Sequence, residues 1–382
     1  MIFMEYSAIT IHFGEIWLKG RNRHNFTSLL TKNVKNVLDS ESYSLENSRD
    51  RIMLRLNRDS DIESMLYKLG HVFGISWFAP VCIAKNDIGS IMESSKEFFG
   101  KKDKIRIEAH RSTKNVPFNS TEIVTHFIKN AKKLPFSLDS KSDKILRINV
   151  TEKGTLLYPK KIRGLNGLPV GSSGTAVSLL SGGIDSPVAS FYAMKRGIKP
   201  IFLHVHPFAT NEEAKSSKIT EIVRALSLYS GRSKIYYSPS HIFQAAALKA
   251  NTRYEHILFK RFIYRLAEEA ANKEGAESII TGESLGQVSS QTVSNLKSSE
   301  YGINKLIIRP LIAFDKQEIV NNAHVIGTHD LSIKPYKDVC SLNAMDPATH
   351  SDFLEIEKMY RRCKLDAAVK KTLKQTEALE IG

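Results

Sequence analysis

Leu179-Leu180-Ser181-Gly182-Gly183-Ile184-Asp185-Ser186-Pro187 joins an apolar strand-like run, Ala176 to Leu180, to a helical stretch from Pro187 to Lys195. Adjacent glycines let the backbone turn tightly and aim its N–H groups inward, while Ser181 and Ser186 add hydroxyls. Pro187 suits the first turn of a helix whose positive end faces the same anion. For two glycines alone a plain strand-to-helix turn is the better reading. Ser-Gly-Gly-x-Asp-Ser at the carboxyl end of the first strand, where open α/β sheets bind ligands, selects phosphate. The stretch lacks the Gly-Lys-Ser/Thr ending of a Walker A loop, which disfavours γ-phosphate transfer of the kinase kind. Asp185 would repel a bare phosphate; it fits if it accompanies a Mg²⁺ bridging the phosphates, the alternative being a cap on the following helix.

Downstream, strands at Ile201 to Val205, Lys234 to Tyr237 and Ser278 to Thr281 alternate with helices at Asn211 to Tyr229 and Phe243 to Asn272. This alternation predicts a parallel sheet covered on both faces. A last helix, Asp352 to Leu379, rich in Lys and Glu, is expected to be solvated. Upstream, the stretch from Ile162 to Gly174 holds four glycines and a proline and predicts a hinge or linker. Before it stand two small α+β modules. The first has a strand at Ala8 to His12, a helix from Asn22 to Leu38, a strand at Ile52 to Leu56 and a helix at Ile62 to Leu69. The second has strands at Phe78 to Ile83, Lys104 to Ala109, Lys144 to Val150 and Gly154 to Pro159, and a helix at Ser120 to Lys132.

The chain of 382 residues carries 55 Lys and Arg against 40 Asp and Glu, a formal charge of +15. Residues 1–165 hold 28 basic and 18 acidic side chains, net +10, and the remainder is net +5. Such an excess attracts a polyanion, nucleic acid above all, though charge alone is equally consistent with a surface tuned for solubility. Cys82, Cys340 and Cys363 stand far apart with no CxxC pair, which excludes a zinc ribbon or a disulfide framework. With no apolar run of about 18 residues and no secretory leader, a cytoplasmic protein with no membrane partner is expected.

Several further stretches, in order along the chain, resemble the tRNA 4-thiouridine synthetase (ThiI) family, and the loop itself is similar to the PP-loop of ATP pyrophosphatases. They are Gly14-Glu15-Ile16-Trp17-Leu18-Lys19-Gly20 with Asn22, Arg23 and Phe26; Ile107-Glu108-Ala109-His110-Arg111-Ser112 with Lys114; and the glycine-rich linker. Then come Thr281-Gly282-Glu283-Ser284-Leu285-Gly286-Gln287, Ser290-Gln291-Thr292, and Arg309-Pro310-Leu311 with Asp315-Lys316. The resemblance spans about residues 6 to 350. It implies an α/β multidomain chain: an N-terminal ferredoxin-like α+β domain (1–75), a THUMP RNA-binding domain (76–165), a linker (166–175) and a C-terminal PP-loop, adenine nucleotide α-hydrolase-like, parallel-sheet domain (176–382). It also implies the reaction: ATP adenylates O4 of uridine 8 in tRNA with release of pyrophosphate, and persulfide sulfur displaces AMP to leave 4-thiouridine. The resemblance implies sulfur transfer for thiamine thiazole synthesis as a possible secondary role, one that in known members depends on a rhodanese domain, which a chain of 382 residues is not expected to accommodate.

On this resemblance Asp185, Lys316 and Cys340 are the catalytic candidates, and ATP and Mg²⁺ the cofactors, with Asp185 the metal contact. Leu179, Leu180, Ser181, Gly182, Gly183, Asp185, Ser186, His204, Val205, Arg261, Gly282 and Gln291 are the ATP-binding set. Lys316 gains nothing from the dipole at the start of its helix, where Asp315 and Glu318 have capping-box spacing, so charge stabilisation on pyrophosphate explains it better than a surface role. His204 stands against a structural reading. Arg261 competes with the adjacent Lys260, and Glu283 is either a second metal carboxylate or a structural acceptor. Cys340, near Lys334 and Lys337, fits a sulfur carrier whose thiolate those charges favour, against the common role of a free cysteine as apolar filler. Cys82 reads as core and Cys363 as a weak resolving partner.

Lys19, Arg21, Arg23, Arg111, Lys114, Lys160, Lys161 and Arg163 form the expected tRNA-binding track, reading RNA by shape more than by base. With no rhodanese domain, a separate cysteine desulfurase or another persulfide or sulfide donor is the expected partner; a homodimer is compatible with the sequence. No cysteine stands near His256 to Arg261, so no protein-held iron–sulfur cluster is expected. The rival readings are another PP-loop enzyme, a ligase or 2-thiolase, and a non-catalytic RNA-binding protein with a vestigial nucleotide site.

Overall fold

The computed structural model describes residues 6–38, 42–48, 50–337, 339 and 347–382. The chain divides into two units, residues 1–167 and 168–382.

In the first unit, β1 (Ala8–Phe13) leads through a 3-10 segment (Glu15–Asn22) into α1 (Arg23–Val37), followed by β2 (Tyr43–Asn47), β3 (Arg51–Leu56) and α2 (Ile62–Leu69). Next come β4 (Ile75–Ala84), α3 (Ile88–Ser95), β5 (Lys104–Arg111), α4 (Ser120–Lys129), β6 (Ser137–Leu138), β7 (Ile145–Thr151), β8 (Gly154–Tyr158) and β9 (Ile162–Arg163). These strands make one nine-stranded sheet in the order β2-β3-β1-β4-β8-β7-β5-β6, with β9 on β4. The two modules share β4: residues 75–81 pair with β1 and residues 82–84 with β8. Alternation does the sorting, because Ile9, Ile11 and Phe13 of β1 enter the core under α1 and α2, while Ala8 packs on the opposite face with Met53, Ala79 and Tyr158.

The second unit runs β10 (Thr175–Leu179), α5 (Asp185–Lys195), β11 (Lys199–His206), α6 (Asn211–Lys215), α7 (Lys218–Ser230), β12 (Ser233–Pro239), α8 (His241–Ala247), α9 (Glu255–Glu274) and β13 (Ser278–Ile280). It continues with α10 (Val293–Glu300), β14 (Leu306–Ile308), α11 (Lys316–Val325), α12 (His329–Ser332), α13 (Phe353–Arg362), α14 (Leu365–Gln375) and β15 (Glu377–Ile381). The sheet order is β14-β13-β10-β11-β12-β15, parallel except for β15. The chain therefore builds outward from β10 in one direction and returns to build in the other. The crevice at the carboxyl ends of β10 and β13 is the topological switch point. Residues 168–174 lie bonded to this unit: Leu168 N–H donates to the Lys195 carbonyl, and Gly171 and Ser173 N–H to that of Gly197.

Three expected helices differ. The stretch from Asn211 breaks at Ser216–Ser217, where Ser217 caps a new helix by accepting from Ile219 N–H, a local bond that competes with helix continuation. That from Phe243 breaks where Asn251 caps a 3-10 turn. The C-terminal helix is two helices parted at Lys364, whose φ is 52°, and then an edge strand pairing with β12. It is not solvated: Ile356, Tyr360, Leu365, Ala368 and Val369 are buried in the main core of the unit. Among the described residues no helix is long and apolar enough to cross a membrane.

Candidate active site

The loop after β10 is held by its own hydroxyls. Ser181 N–H donates to Ser186 Oγ at 2.9 Å, the two serine hydroxyls stand 3.1 Å apart, and Gly183 N–H donates to Ser181 Oγ at 3.2 Å. Below it, Ser178 Oγ meets Ser190 Oγ at 2.8 Å, locking strand to helix. The loop after β13 presses in from the side. A Cβ on Gly282 would fall 2.7 Å from Ser186 N and 2.8 Å from its Cα, so only glycine lets the two backbones approach.

Between these loops and α9 is a cavity of about 270 Å³. Leu179, Leu180, Ser181, Asp185, Ser186, His204, Val205, Gly282 and Gln291 of the expected ATP set line it, with Leu203, Phe259, Ile263 and Val288 giving apolar walls. A polar end at a helix N-terminus and an apolar end fit phosphates and an adenine ring respectively. Gly182 and Gly183 shape the loop without lining the cavity.

Asp185 does not cap α5; the N-cap position is Ile184, with no side-chain bond. The carboxylate of Asp185 instead accepts from Lys316 Nζ on Oδ1 at 2.6 Å and from Gln287 Nε2 on Oδ2 at 2.9 Å. Lys316 opens α11 behind the capping box of Asp315 and Glu318, as its spacing suggests, and leaves that helix to reach across to α5. Gln287 belonged to a motif noticed in the sequence but carried no role there. Only the structure shows which carboxylate it holds.

His204 is fully buried. Its Nδ1 lies 2.7 Å from the Leu180 carbonyl, which can only accept, so Nδ1 is protonated and Nε2 accepts from Tyr336 Oη at 2.6 Å. Burial pushes the ring down to about 4, so it is neutral at pH 7. It is therefore a wall of the cavity with both nitrogens engaged.

Two alternatives resolve. Arg261 does not line the cavity: it turns to the opposite side of α9, paired with Glu357 and stacked on Tyr360 at 4.4 Å. Lys260 takes the cavity side, donating to Glu283 Oε1 at 2.7 Å. Glu283 accepts also from Tyr264 and Arg309 on Oε2, each at 2.8 Å. Burial alone would raise its pKa, but the charges of Lys260 and Arg309 outweigh that and hold it below the ordinary value. Its two oxygens are thus engaged by three donors, while Asp185 stands at the loop end of the cavity. One carboxylate plus substrate phosphates is how Mg²⁺ is commonly bound, so the residues present fit that ion.

Cys340 lies outside the described residues. Cys363 is buried at the end of α13, where burial raises its thiol above the ordinary value, an unfavourable setting for a resolving nucleophile. Cys82 is half-buried in β4.

The first unit carries the expected RNA-facing cations in two patches. Around the 3-10 segment, Lys19 lies 5.0 Å from the ring centre of Phe26 and Arg23 4.6 Å from that of Trp17, with Arg21 and Arg23 lining a hollow of about 360 Å³. On β9, Arg163 is paired with Trp77, and Lys161 stands 4.4 Å over the Trp77 ring. Trp77 is itself stacked on His12 at 3.8 Å. Lys114 and Lys160 are exposed. Arg111 is turned inward, donating to the Phe118 carbonyl.

A parallel sheet with a serine-glycine loop and a switch-point cavity defines a nucleotide-binding α/β protein of the PP-loop class. Residues 171–365 match the family described as thiamine biosynthesis protein (ThiI), and residues 8–79 its ferredoxin-like domain. A probable tRNA sulfurtransferase of Bacillus licheniformis is 34% identical over 99% of this chain and 97% of its own, and one of Geobacillus kaustophilus 36% identical over 99% and 96%. A solved 4-thiouridine synthetase–RNA complex with bound ATP superposes with a TM-score of 0.88 at 30% identity, covering 99% of this chain and all of that one. PH1313 of Pyrococcus horikoshii shares the fold, with a TM-score of 0.63 at 21% identity. The chain belongs to the ThiI family.

Proposed function

We propose that this chain is an ATP-dependent tRNA sulfurtransferase that converts uridine 8 to 4-thiouridine. The observation that carries the reading is the Lys316–Asp185–Gln287 arrangement at the amino end of α5, beside a cavity with one phosphate-suited and one apolar end. The tRNA sulfurtransferases among its relatives and the RNA and ATP held by the solved neighbour support it.

Uracil O4 is a poor leaving group, so the reaction begins by bonding it to the α-phosphorus of ATP, with pyrophosphate leaving. The loop of residues 181–186 holds the phosphates, and Lys316, held in place by Asp185, stabilises the pyrophosphate as its charge grows. Asp185 together with the phosphates would hold Mg²⁺, which would supply neutralisation of the phosphate charge. The terminal sulfur of a persulfide then attacks C4, AMP leaves carrying the former O4, and a second thiol cleaves the remaining S–S bond; free sulfide needs no such cleavage. Cys340 is assigned to this path on the sequence alone. The first unit docks the tRNA through its two cation patches.

Unmodified tRNA, Mg-ATP and a sulfide source should yield AMP, pyrophosphate and a sulfur-for-oxygen mass gain at uridine 8. ADP as the nucleotide product would refute it.

A further inference from the structure

The corner between α11 and α12 gathers three side chains that neither the turn nor the nucleotide cavity requires. α11 ends in a Schellman cap: Gly327, at φ 74°, donates its N–H to the His324 carbonyl at 3.1 Å, and Thr328 donates to that of Ala323 at 3.0 Å. Ala323 and Thr328 are fully buried, so the corner is packed against the unit as well as bonded to itself. This cap brings two imidazoles face to face, His324 in the last turn of α11 and His329 at the start of α12, with ring centres 3.7 Å apart and planes inclined by 27°. Asp330 follows, its Oδ1 accepting from His329 Nδ1 at 2.9 Å. One nitrogen of each histidine and one oxygen of Asp330 lie within 4.8 Å of one another. A histidine in a last turn suits the helix dipole, which accounts for His324 alone. The second ring and the carboxylate need another reason, because Ala323, Gly327 and Thr328 make the corner without them.

We propose that His324, His329 and Asp330 form a binding site for a divalent transition metal, Zn²⁺ by the chemistry of its donors, that staples the end of α11 to α12. Two imidazoles and a carboxylate are ligands of zinc, whereas Mg²⁺ and Ca²⁺ take oxygen. The spacing is close to what the ion needs. With bonds of about 2.0 Å, neighbouring ligand atoms of a tetrahedral site stand about 3.3 Å apart. The His329–Asp330 pair, at 2.9 Å, is closed on one proton that the metal would displace. His324 and Asp330 are exposed and His329 is partly buried, so the ion reaches the site from solvent and water completes its shell. The site is separate from the nucleotide cavity: none of the three lines it, and His324 stands eight residues along α11 from Lys316, about 12 Å of helix. α11 is already tied to α5 by Tyr192 Oη, which donates to Asn322 Oδ1 at 2.8 Å. The metal adds a second tie at the same end of the helix that presents Lys316.

The experiment uses the full chain, stripped of metal with a chelator, and Zn²⁺ alone, titrated in competition with a chromogenic zinc indicator. One equivalent should bind. His324→Ala and His329→Ala should each weaken it by more than about 100-fold, beyond the 10- to 100-fold that loss of an outer-shell partner costs, and Asp330→Asn by at least about tenfold. The three cysteines of the chain are rival zinc ligands, so Co²⁺ serves as a spectroscopic probe. Tetrahedral d–d bands without a thiolate charge-transfer band belong to the histidine site, and they should vanish when His324→Ala and His329→Ala are combined. Saturating Zn²⁺ should raise the Tm of the unaltered chain by about 5 °C and slow amide exchange at residues 323–332. Mg²⁺ at the same concentration should do neither. Without metal the variants should unfold with the unaltered chain, since the cap makes the corner; His329→Gln, which keeps a hydrogen-bonding side chain, repeats the titration if alanine destabilises. Zinc affinity unchanged in the combined variant or in His329→Gln, a cobalt spectrum that carries only the thiolate band, or no binding at micromolar Zn²⁺ would overturn the inference.

Discussion

The cations around the nucleotide cavity of the second unit and three cations of the expected RNA track on the first are held in opposite ways. Around the cavity of the second unit, cations are matched to specific carboxylates: Lys316 to Asp185, and Lys260 and Arg309 to a single buried Glu283. In the first unit, which holds a net +10, three of the eight cations of the expected RNA track lie over aromatic rings at the surface, Lys19 on Phe26, Arg23 on Trp17 and Lys161 on Trp77. The difference follows from what each must do. A group that stabilises charge developing at one phosphorus has to be fixed in advance. A surface that meets many phosphates needs charges that are held loosely and shed counterions readily.

The sharpest way to break this division is at Asp185. Asp185→Ala should lower AMP formation by about 10³-fold or more, because it removes the carboxylate facing the phosphates and frees Lys316 to pair elsewhere. Affinity for tRNA, measured by filter binding, should be unchanged within experimental scatter. If tRNA affinity fell as far as AMP formation, the two functions would not be separable by unit. Lys316→Gln comes next, with a loss of about 10²-fold in kcat and a smaller change in the KM for ATP, since its charge is needed most as pyrophosphate departs.

How much of this was legible beforehand differs between the units for the same reason. The phosphate loop is local: nine consecutive residues carry the strand end, the turn and the helix start, so Ser181, Gly182, Gly183, Asp185 and Ser186 could be read directly. Lys316 was legible because a lysine at the start of a capped helix is out of place. Gln287 and Tyr336 were not, because their contacts exist only through partners at sequence separations of 102 and 132 residues; Lys260 was legible only as an alternative to Arg261. Arg261 was carried over one helical position from the residue that lines the cavity, and a step of one on a helix turns a side chain through about 100°. The C-terminal stretch deceived by composition: its Lys and Glu hid apolar residues at 356, 360, 365, 368 and 369 that cover the core. Glu377 to Leu379 reads as the end of that helix until β12 offers Glu377–Ile381 an edge.

Glu283 tests the matched-charge side of the comparison in a different currency, stability. Its folded pKa lies below the ordinary 4.5 because Lys260 and Arg309 outweigh burial. The stability it contributes is therefore complete above the unfolded value and lost as pH falls through the folded one. Thermal unfolding should show no pH dependence from Glu283 between about pH 6 and 8 and a decline below about pH 4.5. Glu283→Gln should cost about 3 kcal/mol at neutral pH by leaving two cations without their shared partner, and should flatten that acid decline. An unchanged acid limb would mean that the pair of cations is balanced by some other group.

The smallest effect distinguishes the loosely held charges. Lys19→Ala, Arg23→Ala and Lys161→Ala each remove one cation from over an aromatic ring, and each should weaken tRNA binding by only about 1 kcal/mol, the share of one phosphate contact among many. The more telling readout is the salt dependence: combining the three should reduce the slope of log K against log salt by about 2, at roughly 0.7–0.9 for each phosphate no longer neutralised. AMP formation at saturating tRNA should stay as it was, since none of the three lines the nucleotide cavity. A slope equal to that of the unaltered chain would show that these rings carry their cations for packing alone and that the polyanion docks elsewhere on the first unit. A shallower slope for tRNA, beside a KM for ATP that varies little with salt, would show the contrast directly, because a charge already matched to a carboxylate has few counterions left to release.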